Sequence, residues 1–177
     1  MAAAAHGRAL YNRGTMQQTK LSESEEDTRH FLVSLPIFDS FHVDELTVLA
    51  RHMSFIHLQR GEFLFVEGDR GTFMGFVVSG VLEVLKKTET GENIVIARLT
   101  KGSSIGEMAL IDKSTRSATV MAKQPTTMVT LTEKGFDLLT QKSPALGVKI
   151  MQKIARLLSL NMRRTSSKLA DLMQSKG

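Results

Sequence analysis

Ser103–Val120, SSIGEMALIDKSTRSATV, is the stretch on which the reading of this chain turns. It sets the carboxylate of Glu107 and the guanidinium of Arg116 among small and apolar residues, with Asp112 and Lys113 between them. Gly106 and Glu107 precede Met108-Ala109-Leu110-Ile111, a single apolar turn of helix. The start of a short helix leaves backbone N–H groups unpaired and turns the positive end of its dipole outward, which suits an anion. Gly106 lets a ligand come close to the backbone. Arg116 follows far enough behind Glu107 for the chain to turn back and aim a planar, permanently charged fork at the same place. Ser117 adds a hydroxyl donor.

A carboxylate beside a phosphate would repel it. Glu107 makes sense if it accepts a hydrogen bond from a hydroxyl of the same ligand while Arg116 offsets the charge. A phosphate and a sugar hydroxyl a few ångströms apart describe a compact nucleotide. Two plainer readings stay open at this level. Ser104-x-x-Glu107 is also a capping box, which would only tie off the helix start, and Arg116 could be a surface ion pair.

Around this stretch the chain reads as strands. Glycines recur at 61, 68, 71, 75, 80, 91, 102 and 106, and between them lie FLFV, FMGFVVSG, VLEVLKK, NIVIARL, SATVMA and TMVTL. These runs are strand-length, β-branched and bounded by turn signals. KKTETGENIVIA predicts a hairpin closed around Thr90-Gly91. Before the strands, SESEEDTRHFLVSLPIF predicts a helix with an acidic first turn, ended by Pro36. HVDELTVLARHM predicts a second, with Val43, Leu46, Leu49 and Ala50 at helical spacing. After the strands come TEKGFDLLTQ and a long final helix from about Pro144, where proline costs the first turn nothing. The expected fold class is α+β: an antiparallel, jelly-roll-like β-roll of about eight strands. Helices flank it at the N-terminus, a short phosphate-binding helix interrupts it, and a long C-terminal helix follows. The domain reading is a disordered tail over residues 1–20, the β-roll with its entry helices over 21–142, and a lid or dimerisation helix over 143–177.

Composition narrows the function classes. The chain has 177 residues, 42% of them hydrophobic, enough for one domain with a real core. It has no Trp and one Tyr, so Phe, Met and aliphatic residues must fill that core. The absence of Cys excludes disulfides, thiolate metal sites and thiol nucleophiles. No apolar run approaches a membrane span. MAAAAHGRALYNRG is not a signal peptide, since its basic residues follow the alanines. The expected location is therefore the cytoplasm. Net charge is +5, and the excess sits at the C-terminal end, where Lys149, Lys153, Arg156, Arg163, Arg164, Lys168 and Lys176 face Asp171. The five histidines (His6, His30, His42, His52 and His57) form no His-x-His pair and precede most of the strands. No metal site, cofactor or catalytic triad is expected, and the chain is read as a non-enzyme.

GEMALIDKSTRSATV resembles the phosphate-binding cassette of cyclic nucleotide-binding domains, the family of the bacterial catabolite activator and the regulatory subunits of cAMP-dependent protein kinase. LPIFDSFHVDELTVLARHM resembles that family's helical entry, and RGEFLFVEGDRGTFMGFVVSGVLEVLK carries its glycines at Gly61, Gly68 and Gly80. The resemblance implies roles for particular residues. Glu107 would accept from the ribose 2′-hydroxyl, and Arg116 would pair with the cyclic phosphate. The backbone of Gly106, Glu107, Met108 and Ala109, with Ser117 and Ala118, would supply the other phosphate contacts. Val84 and Ile96 would flank the base. Ser117 leans towards cAMP, because relatives that prefer cGMP commonly place threonine there. Asn161 falls where the activator places a threonine that reaches the adenine amino group, and Arg163 or Arg164 could stack on the base.

The final helix also carries Met151, Ile154, Leu158, Asn161, Thr165 and Leu172 at 3–4 spacing, which suits a homodimer seam. Gly177 follows this helix closely, whereas a helix-turn-helix module would need roughly 40–60 further residues. The expectation is therefore no sequence-specific DNA binding and an output through a separate protein partner. The function expected is that of a stand-alone cyclic nucleotide sensor, cAMP before cGMP, that signals by movement of its C-terminal helix. The alternative is a fold that has lost its nucleotide and serves as an interaction scaffold.

Overall fold

Glu25, Glu26 and Asp27 open the first helix, α1 (Glu25–Val33), at the positive end of its dipole, and Pro36 prevents its continuation. A 3-10 turn (Pro36–Phe38) leads to α2 (Val43–Ala50), whose start is closed by a bond from the His42 backbone N–H to Glu45 Oε2 at 2.7 Å. The computed structural model describes residues 25–174. The tail expected over residues 1–20 lies outside them.

The β-roll follows as β1 (Met53–Leu58), β2 (Phe63–Phe65), β3 (Phe73–Ser79), β4 (Leu82–Lys87), β5 (Asn93–Leu99), β6 (Ser104–Ile105), β7 (Thr119–Ala122) and β8 (Thr126–Thr132). They form two four-stranded antiparallel sheets, ordered β1-β8-β3-β6 and β2-β7-β4-β5. The helix α3 (Glu107–Asp112) sits between β6 and β7. The predicted Thr90-Gly91 hairpin joins β4 to β5, with Thr88 N–H donating to the Glu92 carbonyl at 2.8 Å. The expected β-roll is therefore present. Its pairing order brings the first and eighth strands together, a contact between distant parts of the chain.

Two apolar clusters hold the molecule. Inside the roll, Leu64, Phe65, Phe73, Val77, Leu82, Val120 and Met128 interlock between the sheets. Outside it, Phe31, Leu32, Phe38, Leu46 and Leu49 of the entry helices meet Met74 and Phe76 of β3 and Ile150 and Ile154 of the final helix. Each such side chain contributes roughly 1.5–3 kcal/mol on burial. The second cluster fixes the root of the C-terminal segment against the roll.

That segment is α4 (Glu133–Lys142), capped by Thr132 Oγ1, which accepts from the Gly135 N–H at 3.0 Å, and α5 (Pro144–Gln174). The 31 residues of α5 span ~46 Å at 1.5 Å per residue. Leu146, Gly147, Ile150 and Ile154 are buried, whereas every side chain from Met162 to Gln174 is exposed. The helix thus starts in the core and ends in solvent. Lys149 ties its root to α2, with Nζ 2.6 Å from Glu45 Oε2 and 4.5 Å from the Phe41 ring centroid. This contact holds the Glu45 carboxyl below the ordinary carboxylate range.

The seam residues expected on α5 lie along one side of the helix, but the body of the protein takes the first part of that side. Ile154 is packed into the core and Asn161 is turned to the body of the protein. The exposed large apolar positions of α5 are Val148, Met151, Leu160, Met162, Leu169, Leu172 and Met173. The core claims one edge of the predicted stripe because α5 packs against α2 and β3 before it projects.

Candidate functional site

Gly106 begins α3 in the left-handed region, at φ 82°. A side chain there would be strained, and its Cβ would stand 2.5 Å from Arg116 Nη1 and 2.9 Å from the Phe73 carbonyl. The glycine therefore serves two ends: it turns the backbone into α3 and leaves the space that the guanidinium fills. Gly71 likewise leaves space against α3, where a Cβ would lie 2.0 Å from that of Ala109. The loop before β3 and the first turn of α3 touch because both positions lack bulk.

Arg116 is only 4% exposed. Its Nη2 donates to the Phe73 carbonyl at 2.8 Å and its Nη1 to the Gly106 carbonyl at 3.3 Å. The guanidinium lies over the rings of Phe65 and Phe73, at 4.0 and 4.6 Å from their centroids. Its own backbone is clipped to the preceding loop: Arg116 N–H donates to the Asp69 carbonyl at 2.7 Å, and Gly68 N–H to the Arg116 carbonyl at 2.9 Å. The surface ion pair considered from sequence does not fit a buried guanidinium held in this way.

Glu107, the first residue of α3, is 6% exposed. Its Oε1 accepts from Nδ2 of Asn161, on α5, at 2.7 Å. The residue before α3 is Gly106, and no side-chain cap closes the helix, so the Ser104 capping box is not formed. Glu107 and Arg116 take different partners and are not spent on one another. The structure thus places the carboxylate at the junction of α3 and α5, and the guanidinium beneath the loop that α3 begins.

The other predicted residues divide. Ala109 is buried against Gly71, and Met108 and Ser117 are exposed. Ala118 packs on the roll core, and the Ser117 carbonyl accepts from Lys86 Nζ at 2.7 Å. Val84, 8% exposed, lies in the same core. Ile96 is 48% exposed. It falls where the β4–β5 register shifts, between Val84↔Ala97 and Leu85↔Val95, so this bulge rather than plain alternation sets its side. Ala97 and Leu99 turn inwards instead.

Beside the cassette lies a cleft of about 600 Å³, walled by β5 and β6, the 3-10 turn and α5. Glu107 and Asn161 line it, as do Ala97, Leu99, Arg156 and Arg164. Arg163 and Arg116 do not. Sequence reasoning missed three contributors. Phe65 and Phe73 form the platform under Arg116, and a run of strand phenylalanines carries no sign of that duty. Lys86 reaches the cassette backbone from β4 and pairs with Glu67, holding that carboxyl below its ordinary range. The lysine's neighbour in sequence, Lys87, gave no reason to prefer it. Among the described residues no group of three or more His, Cys, Asp or Glu side chains is placed to hold a metal, and no helix is long and apolar enough to cross a membrane.

Comparison with known proteins places this geometry. The profile of the "Cyclic nucleotide-binding domain" family matches residues 55–143. The cAMP-dependent protein kinase regulatory subunit of Yarrowia lipolytica is 36% identical over 109 residues, 62% of this chain and 28% of that one. That of Mycosarcoma maydis is 32% identical over 111 residues, 60% and 21% of the two chains. The chain spans less than a third of either relative's own length. A crystal structure of a cyclic nucleotide-binding domain from Methylobacillus flagellatus KT superposes with a TM-score of 0.75 at 26% identity, covering 83% of each chain.

Proposed function

This chain belongs to the cyclic nucleotide-binding domain family, and from that premise we propose that it senses a cyclic nucleotide, cAMP before cGMP, and reports it through the position of α5. The observation that carries the reading is the bond from Asn161 to Glu107. It joins the residue expected to hold the ribose to the helix expected to carry the signal.

The chemistry follows from the two charged groups. A cyclic phosphodiester keeps one negative charge, which Arg116 meets with a fork whose plane the two phenyl rings set. The ribose 2′-hydroxyl donates to Glu107. A carboxylate offers about four lone-pair sites, so one oxygen can serve the ribose while the other keeps Asn161. The amide oxygen of Asn161 then faces the base, where it accepts from an adenine amino group. Ligand binds the arrangement with α5 docked better than the one with α5 released, and it shifts the equilibrium by that difference in affinity and no more. A protein partner reads the docked helix. The exposed apolar positions of α5 suit a second copy of the chain packed along the same helix. In this reading the chain is a cytoplasmic binding domain and carries out no reaction.

The rival is a scaffold that binds no nucleotide. It is disfavoured by an arginine and a glutamate kept buried at the cassette, since a fold without a ligand gains nothing from burying two charges. Calorimetric titration of cAMP and cGMP into the wild type and Arg116→Ala separates the two. The sensor reading expects saturable binding, tighter for cAMP, that falls at least 100-fold in the variant. Equal binding in the variant, or none in the wild type, favours the scaffold.

A further inference from the structure

The outer part of α5 carries a group of residues that the nucleotide site leaves unused. Arg163 and Arg164 stand three and two residues ahead of Ser166, and all three side chains are exposed. Arg163 and Ser166 lie outside the lining of the cleft. Among the described residues neither arginine has an ion-pair partner. The hydroxyls beside them differ. Thr165 Oγ1 donates to the Asn161 carbonyl at 3.0 Å, and Ser167 Oγ to the Arg163 carbonyl at 3.1 Å, each one turn back. Among the described residues the Ser166 hydroxyl makes no hydrogen bond.

Two guanidinium forks ahead of a free hydroxyl give paired carboxylates a hold on the chain. Arg-Arg-x-Ser is the spacing that arginine-directed protein kinases read. Such an enzyme takes its substrate extended, so α5 has to open here. Every side chain from Met162 to Gln174 is exposed, so tertiary packing adds little to this end of the helix. A stretch of that length is marginal as a helix on its own, ~12–15 residues being the lower limit in water. Local opening is therefore accessible from the native state.

The place of Ser166 on the helix says what a phosphate would do. Met162, Ser166, Leu169 and Met173 are spaced by four, three and four residues and lie on one face of α5. The three apolar members are exposed. A phosphoserine carries about −1.5 to −2 charges at neutral pH, and inside an apolar contact it disrupts through repulsion and lost solvation.

We propose that Ser166 is the phosphate acceptor for an arginine-directed, ATP-dependent protein kinase, and that its phosphate breaks the contact made by this apolar face. The second half rests on the reading above that a second copy of the chain packs along α5. In the transfer, Ser166 Oγ attacks the γ-phosphorus of ATP and a new O–P bond forms. The bond from that phosphorus to the β–γ bridging oxygen breaks, ADP leaves with the electron pair, and the hydroxyl proton passes to a carboxylate base of the kinase.

The test treats the full chain with ATP, Mg²⁺ and the catalytic subunit of cAMP-dependent protein kinase, as wild type, Ser166→Ala and Arg163→Ala. Intact mass and peptide mapping locate the phosphate, and sedimentation before and after treatment gives the self-association. The wild type should take up one phosphate per chain, on Ser166, and Ser166→Ala should take up none. Arg163→Ala should slow the initial rate about tenfold or more. Phosphate on another residue, or an equal rate in Arg163→Ala, overturns the site. Phosphorylation should weaken self-association about tenfold or more in Kd. Equal self-association of the two forms overturns the switch while the second-copy reading stands. A chain that is monomeric before treatment overturns the second-copy reading and the switch together, and Ser166 is then supported or refuted by the mapping.

Discussion

Asn161→Ala removes the one side-chain hydrogen bond that ties α5 to the cassette carboxylate. Its size follows from the geometry. The bond is 2.7 Å long and its acceptor is a carboxylate that is 6% exposed. A hydrogen bond to a charged group contributes about 1.5–3 kcal/mol. Asn161 is itself half-buried, so water competes for its partner and the lower end applies. A loss of ~1.5 kcal/mol from the docked state is about tenfold in Kd. Asn161→Asp should cost more at neutral pH, because it sets a second carboxylate against Glu107. Calorimetry with cAMP gives the affinities, and amide exchange along α5 reports how firmly the helix is docked. The reasoning requires weaker binding together with faster exchange around residue 161. Unchanged or tighter binding in Asn161→Ala would refute it, and would mean that α5 opposes the ligand or ignores it.

Gly106→Ala should unfold more easily than the wild type. A left-handed residue with a Cβ costs roughly 1–2 kcal/mol, and here the new carbon would also displace the guanidinium of Arg116. A loss of about 2 kcal/mol lowers Tm by roughly 4–8 °C in a domain of this size, measurable by scanning calorimetry. Stability should also fall on acidification, for two reasons. Lys149 holds the Glu45 carboxyl below its ordinary pKa, so its contribution is full above the unfolded carboxylate range and is lost as pH drops through the folded value. Burial, with Lys142 nearby, lowers the His52 pKa, so protonation of the unfolded chain begins to pull on the fold below the ordinary histidine value. Denaturant titrations at stepped pH in Lys149→Met should remove the first component and leave the second.

The elements that local patterning governs were legible before the coordinates. β-branched runs between glycines located β2 to β5, β7 and β8, and Thr90-Gly91 located their one tight hairpin. β1 carries no clear strand pattern, because Ser54 and His57 interrupt its apolar run, and the two residues of β6 are too short to carry one. Glu107 and Arg116 stand out because each is a charge flanked directly by small or uncharged residues and needs a reason. What each one touches was not legible, since those contacts are long-range: Arg116 meets Phe73 across the roll, and Glu107 meets a residue of the last helix. The side that Ile96 takes is set by a bulge that strict alternation cannot foresee. Ile154 and Asn161 fitted a coiled-coil spacing equally well, but the core and the cassette reach them first.

The most direct test of the account pairs Glu107→Ala with the loss of the hydroxyl it is said to hold. Affinities of wild type and variant for cAMP and for 2′-deoxy-cAMP form a cycle in which only the pairing of carboxylate and 2′-hydroxyl fails to cancel. The account predicts that the variant loses about tenfold or more for cAMP and much less for the deoxy analogue. Equal losses for the two ligands would contradict it, because Glu107 would then be shaping the fold rather than holding a sugar.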